Sequence, residues 1–181
     1  MATLRTATLD DLPALHRLID ASVRELSRGF YTAAQIESGL RHVFGPDTAL
    51  IGDGTYFVIE DEGAIAAAGG WSRRRTLYGG DQAKAGPDEL LDPVSEPARI
   101  RAFFVDPRFA RRGLARRMLE HCALAAAREG FSALELMATL PGVPLYSALG
   151  FEEIERVAPL QPDGVVLPMV RMRRNTTMSR F

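Results

Sequence analysis

The sequence has a single cysteine, a single lysine, no long apolar run and no surplus of charge of one sign. One cysteine, Cys122, cannot form an intramolecular disulfide, so nothing in the chain calls for an oxidising compartment. No apolar run approaches the ~20 residues of a membrane span, and residues 1–11 lack the apolar core of a signal peptide. A formal net charge of −1 argues against a general nucleic-acid binder. These absences favour a cytoplasmic protein that binds neither membranes nor nucleic acid.

Metal-binding and thiol-nucleophile patterns are also missing. His16, His42 and His121 are scattered, and none has a second ligand at metal spacing. His121 and Cys122 are adjacent on a predicted helix and therefore point to different faces. The sequence thus predicts no metal site and no Cys/His nucleophilic pair.

The chain length of 181 residues predicts one domain over residues 1–173, followed by a flexible tail at 174–181. Hydrophobic periodicity and turn residues predict an alternation of strands and helices. The predicted strands are 2–8, 55–60, 64–72, 99–106, 133–139, 151–157 and 165–172, and the predicted helices are 10–28, 32–43, 113–129 and 143–149. This order predicts an α/β fold with a mixed, largely antiparallel central sheet and helices on both faces.

Residues 73–97 break this pattern. They contain several Gly, Pro and acidic residues and show no periodicity. Two interpretations are open for residues 73–97. They form either a mobile surface loop or a flap over a substrate pocket, and the flap is an option because long loops in compact domains are often lids.

The segment 103–119 carries a pattern that indicates a phosphate-binding site. An aromatic-rich strand ends at Pro107, and an Arg-rich turn then opens a helix. A helix N-terminus presents unpaired N–H groups and attracts phosphate, and Gly113 lets a ligand approach the backbone closely. Arg111 and Arg112 add forked donors that suit phosphate oxygens. The alternative is a plain strand–helix connection with an Arg-coated helix.

A second segment, Tyr146–Phe151, lies about thirty residues downstream. Together with Val105–Pro107 and Ala110–Ala115, it resembles the GNAT superfamily of acyl-CoA-dependent N-acyltransferases. In that family a V-x-P strand end precedes a [Q/R]-x-x-G-x-[G/A] pyrophosphate loop, and a Y-x-x-x-G-F segment follows. Ala110 departs from this pattern, since the family usually has Gln or Arg there. The resemblance implies a GNAT-like fold and acetyl-CoA as the acyl donor.

The resemblance also implies roles for individual residues. Strand 99–106 should splay from strand 133–139 and carry a bulge, which would place the backbone of residues 103–105 beside the pantetheine arm. A backbone N–H there would polarise the thioester carbonyl, and Tyr146 would protonate the departing thiolate. The expected cofactor-binding residues are Phe103, Phe104, Val105, Arg111, Arg112, Gly113, Leu114, Ala115 and Arg116.

The leading functional prediction is an N-acetyltransferase that moves an acetyl group to a small primary amine by direct attack in a ternary complex. The alternatives are a protein N-terminal or lysine acetyltransferase and a non-catalytic CoA-binding module. Tyr31 and Trp71 are candidates to flank the acceptor, although a lone Trp on a hairpin is also typical of a core. No general base is assigned, and the oligomeric state stays open, with a homodimer as one option.

Overall fold

The structure is a computed structural model that describes residues 1–176, and these form a seven-stranded sheet in the order β1-β2-β3-β4-β5-β7-β6. The strands are β1 (Thr3–Thr6), β2 (Tyr56–Asp61), β3 (Ala64–Ser72), β4 (Ala98–Val105), β5 (Ala133–Thr139), β6 (Glu152–Val157) and β7 (Met169–Asn175).

Neighbouring strands pair antiparallel throughout this sheet except for β4 and β5, which are parallel. The parallel pair is joined at only two positions, Ala98 with Leu134 and Arg99 with Glu135. Beyond Arg99 the two strands separate. The prediction of a mixed, largely antiparallel sheet is therefore confirmed, and so is the expected separation of β4 from β5.

Helices cover both faces of the sheet. They are α1 (Leu12–Leu26), α2 (Ala33–His42), α3 (Thr48–Gly52), α4 (Leu114–Arg128) and α5 (Val143–Ala148). Alternate residues of β2 divide between the two sides: Phe57 packs with the α4 cluster, whereas Tyr56 packs with α1 and α3. Within residues 1–176, no helix combines the length and the apolar character that crossing a membrane requires.

Local sequence signals account for the helix starts. Thr32 and Gln35 form the predicted capping box of α2, in which the Thr32 side chain accepts from the Gln35 N–H at 3.2 Å. Helix α3 was not anticipated. It begins after Asp47, whose carboxylate accepts from the N–H groups of Ala49 and Leu50.

The last strand corrects two expectations. Strand β7 begins at Met169 rather than at residue 165, because Pro168 has no N–H to donate to a neighbouring strand. It continues to Asn175, so residues 174 and 175 belong to the sheet and not to a flexible tail. The rest of the predicted tail, from residue 177 onward, lies outside the described residues.

Strand β6 closes one end of the sheet. It pairs with β7, and its outer side chains are exposed, including those of Glu152, Glu153 and Glu155. The Arg156 side chain contacts Glu153 at 2.6 Å.

Residues 73–97, the segment without periodicity, form a long connection between β3 and β4 that polar contacts tie to the body of the protein. The Arg101 guanidinium on β4 donates to the carbonyl oxygens of Thr76 at 3.0 Å and Gly79 at 2.6 Å. Arg74 pairs with Asp53, with Nε to Oδ2 at 2.7 Å. The connection is thus anchored at several points along its length.

Candidate active site

Strand β4 carries a bulge where it separates from β5. Ala68 of β3 pairs with Phe104 and Gly70 pairs with Arg101, so two residues of β4 lie opposite Gly69 alone. Ala102 has a φ of 54°, a left-handed conformation that non-glycine residues rarely adopt. The bulge that the sequence resemblance implied is therefore present.

Two contacts favour a bulge at this position. A Cβ on Gly69 would lie 2.4 Å from the Phe103 ring, so only glycine leaves room for that ring. The Tyr56 hydroxyl donates to the Ala102 carbonyl at 3.0 Å and holds the distorted backbone. Glycines inside a strand often mark such bulges, so Gly69 and Gly70 are the sequence signal for this one.

The connection from β4 to α4 forms a compact loop. The Asp106 carboxylate accepts from the Arg108 N–H at 2.9 Å, which makes Asp106 a turn residue. Arg111 has a φ of 63° and Gly113 a φ of 79°, both left-handed. Two such residues around Arg112 turn the loop sharply before α4 begins at Leu114.

Several backbone N–H groups of this loop are free to bind a ligand. Among the described residues, no carbonyl or side chain accepts a hydrogen bond from the backbone N–H groups of residues 111–116. Arg111, Arg112 and Arg116 are exposed around them, and Arg112 lies over the Phe109 ring at 5.0 Å. Unpaired N–H groups beside guanidinium groups form an arrangement that suits an anion.

A cavity of about 220 Å³ lies in the gap between β4 and β5 and is lined from both faces of the sheet. On one face it is lined by Ala115 of α4 and Tyr146 of α5. On the other it is lined by Ser22 and Leu26 of α1 and by Tyr78 of the connection 73–97. The separation of two strands thus gives one continuous space that passes through the sheet.

The predicted strand residues all border this space. Phe103, Phe104 and Val105 line the cavity, and the Val105 N–H donates to the Ser22 hydroxyl at a long 3.3 Å. Of the predicted phosphate-loop residues, Ala115 lines the cavity. Residues 111–114 and Arg116 do not line it, because they lie in the loop before α4 and in the first turn of that helix.

Tyr146 lies between two aromatic rings, with centroids 6.5 Å from Phe103 and 5.7 Å from Phe151. Its hydroxyl makes no hydrogen bond to any of residues 1–176, and its side chain lines the cavity. Burial raises the pKa of Tyr146 above its usual value. The phenol therefore keeps its proton through the neutral pH range.

Tyr31 and Trp71, the candidates for flanking an acceptor, do not line the cavity. Trp71 is 2% exposed and packs edge-on against Phe131. The Tyr31 hydroxyl donates to the Pro168 carbonyl at 2.5 Å and accepts from the Leu140 N–H at 3.0 Å. Trp71 is therefore a core residue, as the alternative interpretation expected. The Tyr31 hydroxyl joins two backbone segments and does not face the cavity.

On the α1 face the cavity is lined by residues that the sequence did not single out as ligand contacts, among them Val23, Leu26, Phe44 and Leu77. The signal for Leu77 was present, because Leu77 and Tyr78 form an apolar pair inside a stretch rich in glycine and charge. The apolar stripe of α1 serves both the core and the cavity, so its pattern does not mark which individual residues line the cavity.

Carboxylates are absent from the lining formed by residues 1–176. Glu60, Glu96 and Asp106 lie outside this lining and are ion-paired, Glu60 with Arg5, Glu96 with Arg75 and Asp106 with Arg108. In the same part of the chain, no cluster of three or more His, Cys, Asp or Glu side chains is arranged to hold a metal ion.

Comparisons with known proteins agree with this geometry. Residues 52–153, more than half of the chain, match the family model described as an acetyltransferase (GNAT) domain. No curated protein matches significantly.

Solved structures with the same fold include a GCN5-related N-acetyltransferase from Rhodopseudomonas palustris, at TM-score 0.72 and 15% identity over 97% of this chain and 96% of that one. The ribosomal-protein-S18-alanine N-acetyltransferase from Escherichia coli is similar at TM-score 0.58 and 21% identity, over 99% and 97%. YncA from Salmonella typhimurium, solved with acetyl-CoA, is similar at TM-score 0.62 and 16% identity, over 100% and 97%. The chain belongs to the GNAT acetyltransferase family.

Proposed function

We propose that the protein transfers an acetyl group from acetyl-CoA to a small primary amine, by direct attack of the amine on the thioester in a ternary complex. The observation that carries this proposal is the cavity through the sheet, lined by α4 and α5 on one face and by α1 and residues 77–80 on the other. Two ligands that enter such a space from opposite faces meet at the separated edge of β4. Holding them together supplies much of the barrier reduction in a reaction between two molecules.

The loop before α4 fits the diphosphate of the donor. The free N–H groups of residues 111–116 and the exposed guanidinium groups of Arg111, Arg112 and Arg116 are donors of the kind that bind phosphate oxygens. Gly113 has no atom within 4 Å of where a Cβ would lie, so a ligand can approach the backbone there.

The separated edge of β4 fits the pantetheine arm. Its amides can pair with a strand edge that lacks a partner, as a peptide does when it extends a sheet. The backbone of residues 103–105 borders the gap, and the Val105 N–H is held only by a long bond to Ser22. This N–H is the donor best placed to polarise the acyl carbonyl.

The donor, when bound, supplies the activated thioester, and Tyr146 supplies a proton. The amine nitrogen forms a bond to the carbonyl carbon, the carbon–sulfur bond breaks, and the phenol of Tyr146 gives its proton to the departing thiolate. The proton lost by the amine returns to the phenolate directly or through water, so charge balances over one turnover. The raised pKa of Tyr146 keeps the phenol protonated before each cycle.

The α1 face of the cavity, where the amine would bind, is the acceptor side in this proposal, and its shape favours a small amine over a protein terminus. Residues 77–80 line the cavity, and Arg101 anchors this stretch through the carbonyls of Thr76 and Gly79. A peptide substrate would need an open groove at this position. The proposal includes a cytoplasmic location, since the chain needs no disulfide, and it involves neither nucleic acid nor a membrane.

Titration calorimetry with acetyl-CoA tests the phosphate site. Gly113→Val should weaken binding by about 100-fold or more, because a β-branched side chain at a φ of 79° alters the loop and covers its N–H groups. Arg112→Gln should weaken it by about 5-fold, which corresponds to about 1 kcal/mol for an exposed charge, with a smaller dependence on salt.

Arg108→Gln is the matched control, since Arg108 is exposed nearby and pairs with Asp106 outside the N–H cluster. Unchanged affinity in both the Gly113 and Arg112 variants would show that the phosphates bind elsewhere. Binding without release of free thiol in the presence of any amine would favour a non-catalytic module.

A further inference from the structure

Resting on the proposed function, we propose that the acceptor is a primary amine with an uncharged apolar body, and not a polyamine, an amino acid or a peptide. The acceptor side of the cavity carries the chemistry for this distinction. The lining that residues 1–176 form there is mostly apolar, and its one charged side chain is bound to other residues.

The apolar wall comes from three separate parts of the chain. Val23 and Leu26 project from α1, Phe44 follows α2, and Leu77 comes from the connection 73–97. Leu26 is 38% exposed, so apolar surface continues to the rim of the cavity. An aliphatic or aromatic body gains free energy by leaving water for such a wall.

No counter-ion is present for a second ammonium group. Among residues 1–176, no Asp or Glu lines the cavity, and its hydroxyl groups are neutral. A second positive charge would therefore lose its hydration without gaining a partner, which is costly in a desolvated site.

Arg101 is the one charged side chain that residues 1–176 contribute to the lining, and it is already occupied. It is 2% exposed and donates to Thr76, Gly79 and Asp47. The Asp47 carboxylate is fully buried, and it also contacts Lys84. Because the guanidinium is committed to these acceptors, it offers no free fork to an acceptor carboxylate, which argues against amino acids.

Arg101 also limits the length of the acceptor. By binding the carbonyls on either side of Leu77 and Tyr78, it fixes these two residues as a wall of the cavity. A body that is short enough to stop at this wall fits, whereas a polypeptide would have to displace it.

Three amines of equal chain length test the proposal on the full-length protein: pentylamine, 1,5-diaminopentane and 5-aminopentanoate, with an alanine-initiated peptide as the fourth substrate. Release of free CoA and the mass of the acetylated product are measured. We expect kcat/KM for pentylamine to exceed that for the diamine and for the amino acid by about 100-fold or more. Either of these two substrates would bring a second, unpaired charge into the cavity.

Leu26→Glu places a carboxylate at the rim, at a position where the side chain is already 38% exposed. It should shift the preference toward the diamine by about 10-fold or more. Leu124→Glu is the matched control: Leu124 is an exposed leucine on α4 that does not line the cavity, so the preference should stay as in the unmodified protein.

The outcomes separate the two proposals. Turnover that favours the diamine, the amino acid or the peptide overturns the substrate class and leaves the transferase intact. Failure to bind acetyl-CoA, or binding without turnover on any of the four amines, contradicts the proposed function itself.

Discussion

Removing the Arg101 side chain should destabilise the protein strongly, and Arg101→Met is the substitution that tests this. The guanidinium is buried beside Asp47, with Nη2 to Oδ2 at 2.8 Å, and it also serves the carbonyls of Thr76 and Gly79. Methionine keeps much of the aliphatic length and removes all three contacts. The buried carboxylate and two carbonyl groups then lose a donor together.

The size of the effect follows from the partners that remain. Breaking a buried ion pair by removing one member typically costs about 3–5 kcal/mol. Asp47 still contacts Lys84 and accepts from the N–H groups of Ala49 and Leu50, so the lower end applies. We expect a loss of about 3 kcal/mol, which for a chain of this size lowers the melting temperature by about 6–12 °C.

Equilibrium unfolding in urea, with thermal melting beside it, measures the loss. Arg75→Met is the control, because Arg75 is on the same connection and its side chain is 51% exposed, so its ion pair with Glu96 adds little. Arg101→Lys should fall between the two, since one ammonium cannot reach all three acceptors. If Arg101→Met unfolds like Arg75→Met, the cluster around Asp47 does not hold the connection.

Two further predictions concern proton-dependent behaviour. Tyr146→Phe should lower kcat by about 100-fold or more and leave the melting temperature nearly unchanged, because the hydroxyl bonds to none of residues 1–176. With burial raising the pKa of Tyr146, kcat should show no alkaline decline below about pH 10; a decline near pH 8.5 would point to another acid. Arg5 lowers the pKa of Asp11 from 3.8 to about 2, so this pair stabilises the folded state above about pH 4 and loses its contribution as the pH falls toward 2. The difference in unfolding free energy between the protein and Asp11→Asn should shrink over that interval, and a difference independent of pH would contradict the assignment.

The sequence was sufficient for the parts of the fold that local chemistry controls. Thr32 and Gln35 specify the start of α2 through their own side chains, and Pro107 ends β4 because it cannot extend a ladder. Gly113 marks a left-handed turn before α4. In each case residues a few positions apart determine the backbone, so a single chain is enough to predict it.

Contacts between distant residues could not be predicted in the same way. Helix α3 is five residues long and depends on Asp47, whose carboxylate is held by Arg101 and Lys84 from other elements. The wall of the cavity on the α1 face joins α1 to residues far along the chain, such as Leu77. Trp71 illustrates the limit, because the sequence leaves both a ligand site and a core position open for its ring, whereas the structure packs the ring against Phe131.

Strand β6 has a consequence for how molecules of this protein meet one another. Among residues 1–176 no further strand pairs with its outer edge, which carries Glu152, Glu153 and Glu155, so a second copy that extended the sheet there would bring carboxylates close together. This repulsion between carboxylates opposes edge-to-edge association of sheets, and dissolved salt weakens it by screening the charges. We therefore expect purified protein to associate through the β6 edge first at high salt concentration.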